Sequence, residues 1–122
     1  MRITKFEEIE AWLSARELAK LIYSAVADHK GFTSDFGLKD QITRASVSVM
    51  SNIAEGQSRN TTKEYVQYLY NARGSIEEVR YFLLLSKELG FLSTEDYDSL
   101  ETEYETASKM LNGLIRSLKL NP

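Results

Sequence analysis

The sequence predicts an all-α protein, an antiparallel up-down-up-down four-helix bundle, and three observations carry that expectation. The single proline is Pro122, the last of 122 residues, so no helix-breaking residue interrupts the chain before it. Apolar residues recur at three- and four-residue spacing along most of its length. Glycines stand at three corners, Gly31 with Gly37, then Gly56, then Gly90, and three corners divide the chain into four segments.

The first helix is expected at about 6–30, with Ala11, Ala15, Leu18, Ile22, Ala25 and Val26 as its core stripe and Gly31 as a left-handed cap. The second, at about 35–55, repeats the pattern through Leu38, Ile42, Ala45, Val49 and Ile53 and closes at Gly56. Thr61 followed three residues later by Glu64 forms a capping box for the third helix, at about 61–89. Its stripe is Tyr65, Tyr68, Ala72, Ile76, Val79 and Leu83. Ser93-Thr94-Glu95-Asp96 repeats the start signal for the last helix, at about 94–119, which carries Tyr97, Leu100, Tyr104, Ala107, Leu111, Leu114 and Leu118. Helices of 20–25 residues are roughly 30–38 Å long, and matched lengths with short connections favour a bundle of neighbours in sequence. No repeat or linker divides the chain, so a single domain over 1–122 is expected.

On a helical wheel, helices two and three each carry a second apolar face. Thr43, Val47, Met50 and Ala54 lie nearly opposite the core stripe of helix two, and Val66, Tyr70, Tyr81, Leu84 and Leu85 lie away from that of helix three. The last helix is the internal control, with Asp98, Glu101, Glu105, Lys109 and Arg116 on its back. A bundle needs one apolar stripe per helix, and a surplus patch on two adjacent helices marks an interface. A homo-oligomer is therefore expected, with Val47, Met50, Ala54, Tyr70, Tyr81 and Leu84 at the subunit contacts.

The turn between helices two and three, Asn52-Ile53-Ala54-Glu55-Gly56-Gln57-Ser58-Arg59-Asn60, is dense in hydrogen-bonding groups. No cofactor spacing accompanies it, so Asn52, Glu55 and Gly56 are read as structural, with Arg59 as an ionic partner. Gly74-Ser75 interrupts helix three, where glycine costs about 1 kcal/mol against alanine, and close approach of another helix backbone would offset that cost. Tyr65 and Tyr68 are expected in the core with tethered hydroxyls.

Catalytic signals are few. His29 is the only histidine and sits at a helix end, where it suits the terminal carbonyls better than proton transfer. There is no cysteine, no Glu-x-x-His pair, no phosphate loop and no nucleophile elbow. Neither an enzyme nor a cofactor is expected. The opening residues lack the apolar run of a secretory signal, no window approaches a membrane span, and a cytoplasmic protein follows as the expectation.

Arg44, Arg59, Lys63 and Arg73 are the candidate nucleic-acid contacts, with Arg80 further along. Up to Gly90, however, 12 Lys and Arg meet 12 Asp and Glu, and the remainder carries 3 against 6. A net charge of −3 and a pI near 5.2 argue against broad affinity for nucleic acid.

Leu38-Lys39-Asp40-Gln41-Ile42 with Arg44-Ala45, then Asn52-Ile53-Ala54-Glu55-Gly56 and Arg59, resembles the hallmark stretch of the four-helix-bundle family encoded in intervening sequences of bacterial 23S ribosomal RNA genes, the S23 ribosomal proteins. Ala72-Arg73-Gly74-Ser75 with Glu78, then Leu89-Gly90, resembles the second hallmark. The resemblance implies an antiparallel four-helix bundle, a ring-like homopentamer, and kinship with accessory proteins of diversity-generating retroelements, which associate with a reverse transcriptase and nucleic acid. Those relatives are markedly basic, and this chain is not. The partners expected are thus further copies of the chain and a protein that the sequence does not name.

Overall fold

The computed structural model describes residues 5–120, the side chain of Phe6 excepted, so Pro122 lies outside the described residues. Among these residues there are five helices and no strand: α1 (Lys5–Asp28), α2 (Lys30–Ser34), α3 (Phe36–Gln57), α4 (Thr62–Glu88) and α5 (Thr94–Leu120). The four long helices match the four expected segments, and the short α2 is an addition.

The ends of the helices follow from local chemistry. Asp35 accepts a hydrogen bond from the Leu38 amide at 3.0 Å and starts α3. Thr61 accepts from the Glu64 amide at 3.2 Å and donates its hydroxyl to the Glu64 carboxylate at 2.9 Å, so the N-cap is made and the second bond runs side chain to side chain rather than to the backbone amide of a full capping box. Ser93 does the same for the Asp96 amide at 3.1 Å. At the end of α4, Gly90 turns left-handed with φ of 80°, its amide donates to the Lys87 carbonyl at 3.0 Å, and the Phe91 amide donates to Ser86 at 2.8 Å. This is a Schellman closure, and it needs glycine at that position.

Gly31 is not a left-handed cap. It lies inside α2, Gly90 being the one described residue with positive φ. Its reason is space: a Cβ there would overlap the Phe91 ring. Phe91 packs edge-on against buried Phe32 with centroids 5.4 Å apart, joining the α1–α3 connection to the α4–α5 connection. Gly56 likewise does not end α3 but sits buried within it. A Cβ on Gly56 would meet Tyr65 at 2.8 Å and Tyr68 at 3.0 Å, so α4 comes close here.

α1 packs on α3 and α5, α4 packs on α3 and α5, and α2 lies against α1 and α3. The core fills the space between the long helices, with Ile22, Ile42, Ile53, Leu69, Ile76, Leu83, Tyr104 and Leu111 all but removed from solvent. Tyr104 donates its hydroxyl to the Leu18 carbonyl at 3.2 Å, and burial holds its ionisation far above the ordinary range. Cross-helix pairs set the register. Ser48 meets Ser75 at 2.8 Å, Arg73 meets Asn112 at 2.9 Å, and Arg80 meets Glu101 at 2.8 Å, so numbers climb on one helix as they fall on its neighbour.

Gly74 corrects the expectation of a close backbone approach, because a Cβ there would find nothing within 4 Å. The approach is made one residue on, about 100° around the helix. Ser75 is buried, shares a hydrogen bond with Ser48, and donates to the Asn71 carbonyl at 3.2 Å. Val66 is also corrected: expected on an outer face, it is buried, because the last turns of α5 lie beside it.

Candidate functional site

Three surfaces collect the residues singled out by sequence. The first is the α3–α4 turn. Asn52 is half-buried and donates to the Ser48 carbonyl at 2.9 Å and to its hydroxyl at 3.0 Å, so it braces the α3–α4 seam rather than the turn. Glu55 binds the turn, since Arg59 pairs with its carboxylate and Ser58 donates to its carbonyl at 2.7 Å. The Arg59 guanidinium also lies 4.9 Å from the Tyr68 ring centroid. Tyr65 is buried as expected, but its hydroxyl has no hydrogen-bond partner. Burial first, and then the charge of Glu8, push its pKa up to about 12.

The second surface is the outer side of α3 and α4. Val47 is partly exposed and Ala54 is exposed, whereas Met50 and Tyr70 pack partly against the core. Tyr81 is 71% exposed and Leu84 39%, and Leu85 and Leu89, at 43% and 50%, extend the same apolar stretch along the carboxyl half of α4. Exposed apolar residues also occur on α1 at Ile9, Leu13, Leu21 and Tyr23, a face that helical spacing of the core stripe did not single out. On α5, Glu101 is not simply solvated: it lies half-covered and accepts from Arg80, which also reaches Glu77 at 3.2 Å.

The third surface is basic, and the four candidate nucleic-acid contacts do not share it. Arg44 pairs with Asp40 at 2.8 Å, some 20 Å along the helix from the α3–α4 turn, where Arg59 pairs with Glu55. Lys63 and Arg73 lie instead towards α5, on the side of α4 away from Tyr68 and Arg59. There they are joined by Lys119, which donates to the Tyr70 hydroxyl at 2.9 Å. Lys119 lies 49 residues from Tyr70 in sequence, so no local spacing links the two. Placing the end of the last helix opposite the start of the third would have brought it in.

His29 occupies the far end of the molecule. Its Nδ1 lies 2.6 Å from the Ala25 carbonyl, the role expected at a helix terminus, and its Nε2 lies 2.9 Å from the Asp96 carboxylate. Both partners accept, so both nitrogens donate only when the ring is an imidazolium, and its pKa is raised, first by the Ala25 carbonyl and then by Asp96. Among the described residues, no three metal-ligating side chains come together and no helix is long and apolar enough to cross a membrane.

Residues 7–113 match the family described as 23S rRNA-intervening sequence protein. A solved structure from Bacteroides thetaiotaomicron VPI-5482, a protein with unknown function from the S23 ribosomal protein family, superposes with a TM-score of 0.84 at 21% identity, covering 90% of this chain and 98% of that one. That similarity establishes a shared fold. A search of curated proteins returns no match.

Proposed function

This chain belongs to the 23S rRNA-intervening sequence protein family, and from that premise we propose that it is a non-enzymatic, self-associating interaction module built on an up-down-up-down four-helix bundle. The register of Ser48 on Ser75, Arg73 on Asn112 and Arg80 on Glu101 supports the bundle reading. The observation that carries self-association is the apolar back of α4, where Tyr81, Leu84, Leu85 and Leu89 face solvent in adjacent turns. Covering such a stretch removes apolar area from water at about 25 cal/mol per Å², and no segment within the described chain covers it. The other expected contacts lie outside this stretch, Val47 and Ala54 on α3, Met50 partly against the core and Tyr70 beside Lys119 of α5, and a closed homopentamer is the assembly the family resemblance favours. Nucleic-acid binding is the weaker reading, because Arg44 and Arg59 are each engaged by a carboxylate of their own.

Sedimentation equilibrium tests the proposal. The chain sediments at a multiple of 13.9 kDa at micromolar concentration, and Tyr81→Asp with Leu85→Asp reduces it to the monomer while the helical circular dichroism persists. A monomeric parent chain would refute self-association.

A further inference from the structure

The groove between the first turns of α4 and the last turns of α5 differs in chemistry from the apolar back of α4, and nothing about it depends on self-association. It encloses about 360 Å³ and is lined by Thr62, Lys63, Val66, Gln67, Tyr70, Leu118 and Lys119. Its floor is apolar, made of buried Val66, half-buried Leu118 and the ring of Tyr70. Its rim is cationic.

Three positive side chains converge here. The Lys119 ammonium donates to the Tyr70 hydroxyl at 2.9 Å and stands 5.5 Å from the ring centroid, while the Arg73 guanidinium lies 4.8 Å from the same centroid and donates to Asn112 at 2.9 Å. Lys63 lines the same groove. Among the described residues, Arg16, Arg44, Arg59, Arg80, Lys20 and Lys109 each pair with a carboxylate, whereas Lys63, Arg73 and Lys119 are among the cations that do not, and these three stand together. The nearest acidic residue in sequence, Glu64, is turned to its own cap through Thr61. A chain of net charge −3 thus gathers three uncompensated cations over an apolar floor. Like charges held together repel, and the tyrosine offsets only part of that cost.

We propose that this groove docks an acidic peptide segment bearing an apolar anchor side chain, with carboxylates meeting Lys63, Lys119 and Arg73 and the anchor resting on Val66, Leu118 and Tyr70. Charge complementarity selects an acidic occupant, and the floor selects one that carries an apolar side chain between its charges. A nucleic-acid strand fits less well. Its phosphates need a continuous basic track, and the next arginines along the surface, Arg44 and Arg59, are each taken up by a carboxylate away from the groove.

Fluorescence anisotropy on the full chain decides it, using a labelled peptide Glu-Glu-Leu-Phe-Glu-Glu, a counterpart with both apolar residues replaced by alanine, and a 12-nucleotide single-stranded DNA. The first peptide binds, the alanine peptide binds at least about tenfold more weakly, and Lys63→Glu with Lys119→Glu weakens the first peptide by at least about tenfold. Both lysines are exposed, so circular dichroism and the sedimenting mass stay unchanged in that variant. Equal binding of the two peptides, tighter binding of the DNA, no binding of any probe, or indifference to the charge reversal would each overturn the proposal. Dissociation of the oligomer by the same reversal would assign the groove to a subunit contact and overturn it as well, leaving the reading of the α4 back intact.

Discussion

The two sides of α4 are held very differently. Towards α3 the contacts are close and specific: Ser75 meets Ser48, Asn52 braces Ser48, and Tyr65 and Tyr68 press against Gly56. Away from α3, Tyr81 and Leu85 stand in solvent and Gly74 adjoins open space. The difference teaches that apolar character does not by itself locate the interior of this protein. Small and hydroxylic residues mark the tight seam, whereas large apolar ones continue onto the outside.

The largest change should come from filling the tight side. In Gly56→Leu the new side chain meets Tyr65 and the Tyr68 Cβ, and overpacking of about 1–3 kcal/mol exceeds the gain in helix propensity of up to about 1 kcal/mol. Urea melts of the parent and variant should show the loss, and unchanged stability would break the contrast between the two sides. At the edge where α4 meets α5, Arg80→Ala should cost about 1–2 kcal/mol in the same melts, because it strands the half-covered Glu101 carboxylate.

On the open side the sign reverses. Gly74→Ala removes a flexible residue from an exposed helix interior and should stabilise by about 0.5–1 kcal/mol, seen as a higher urea midpoint at unchanged slope. The smallest effect belongs to a seam that α4 does not form. His29 faces Asp96 on α5, with Asp28 of α1 adding negative charge, and its folded pKa lies above the ordinary 6.5. Its stabilising contribution is therefore complete below about pH 6.5 and is lost as pH rises through the higher folded-state value. Solvent screening limits it to about 0.5 kcal/mol. His29→Gln should flatten the pH dependence of the melting temperature between pH 6 and 8, and an NMR titration of the ring should give a pKa above 6.5.

Much of the fold was legible because helix periodicity and caps are local. Thr61 with Glu64 and Ser93 with Asp96 start α4 and α5 where the sequence predicts, and the stripe from Leu100 to Leu114 is buried throughout. What periodicity cannot say is which neighbour an angle on the wheel faces. Gly74 was assigned a close contact that belongs to Ser75, and Val66 an outward face that α5 covers. Gly31 looked like a stop because the ring that excludes its side chain, Phe91, belongs to a distant connection. The candidate sites divide in the same way. The Glu55–Arg59 pair is four residues apart and was readable, while the gathering of Lys63, Arg73 and Lys119 depends on two helix ends meeting in space.

The hydrogen bond from Tyr104 to the Leu18 carbonyl spans 86 residues of sequence, whereas α3 and α4 are joined by a turn of a few residues. Bringing distant segments together costs more chain entropy than closing a hairpin, so the α3–α4 pair is the natural early partner in folding and docking of α1 onto α5 the late one. The single tryptophan, Trp12, sits half-buried on α1 with the Arg16 guanidinium 5.4 Å from its ring. Its emission therefore reports the seating of α1 on the core of the molecule.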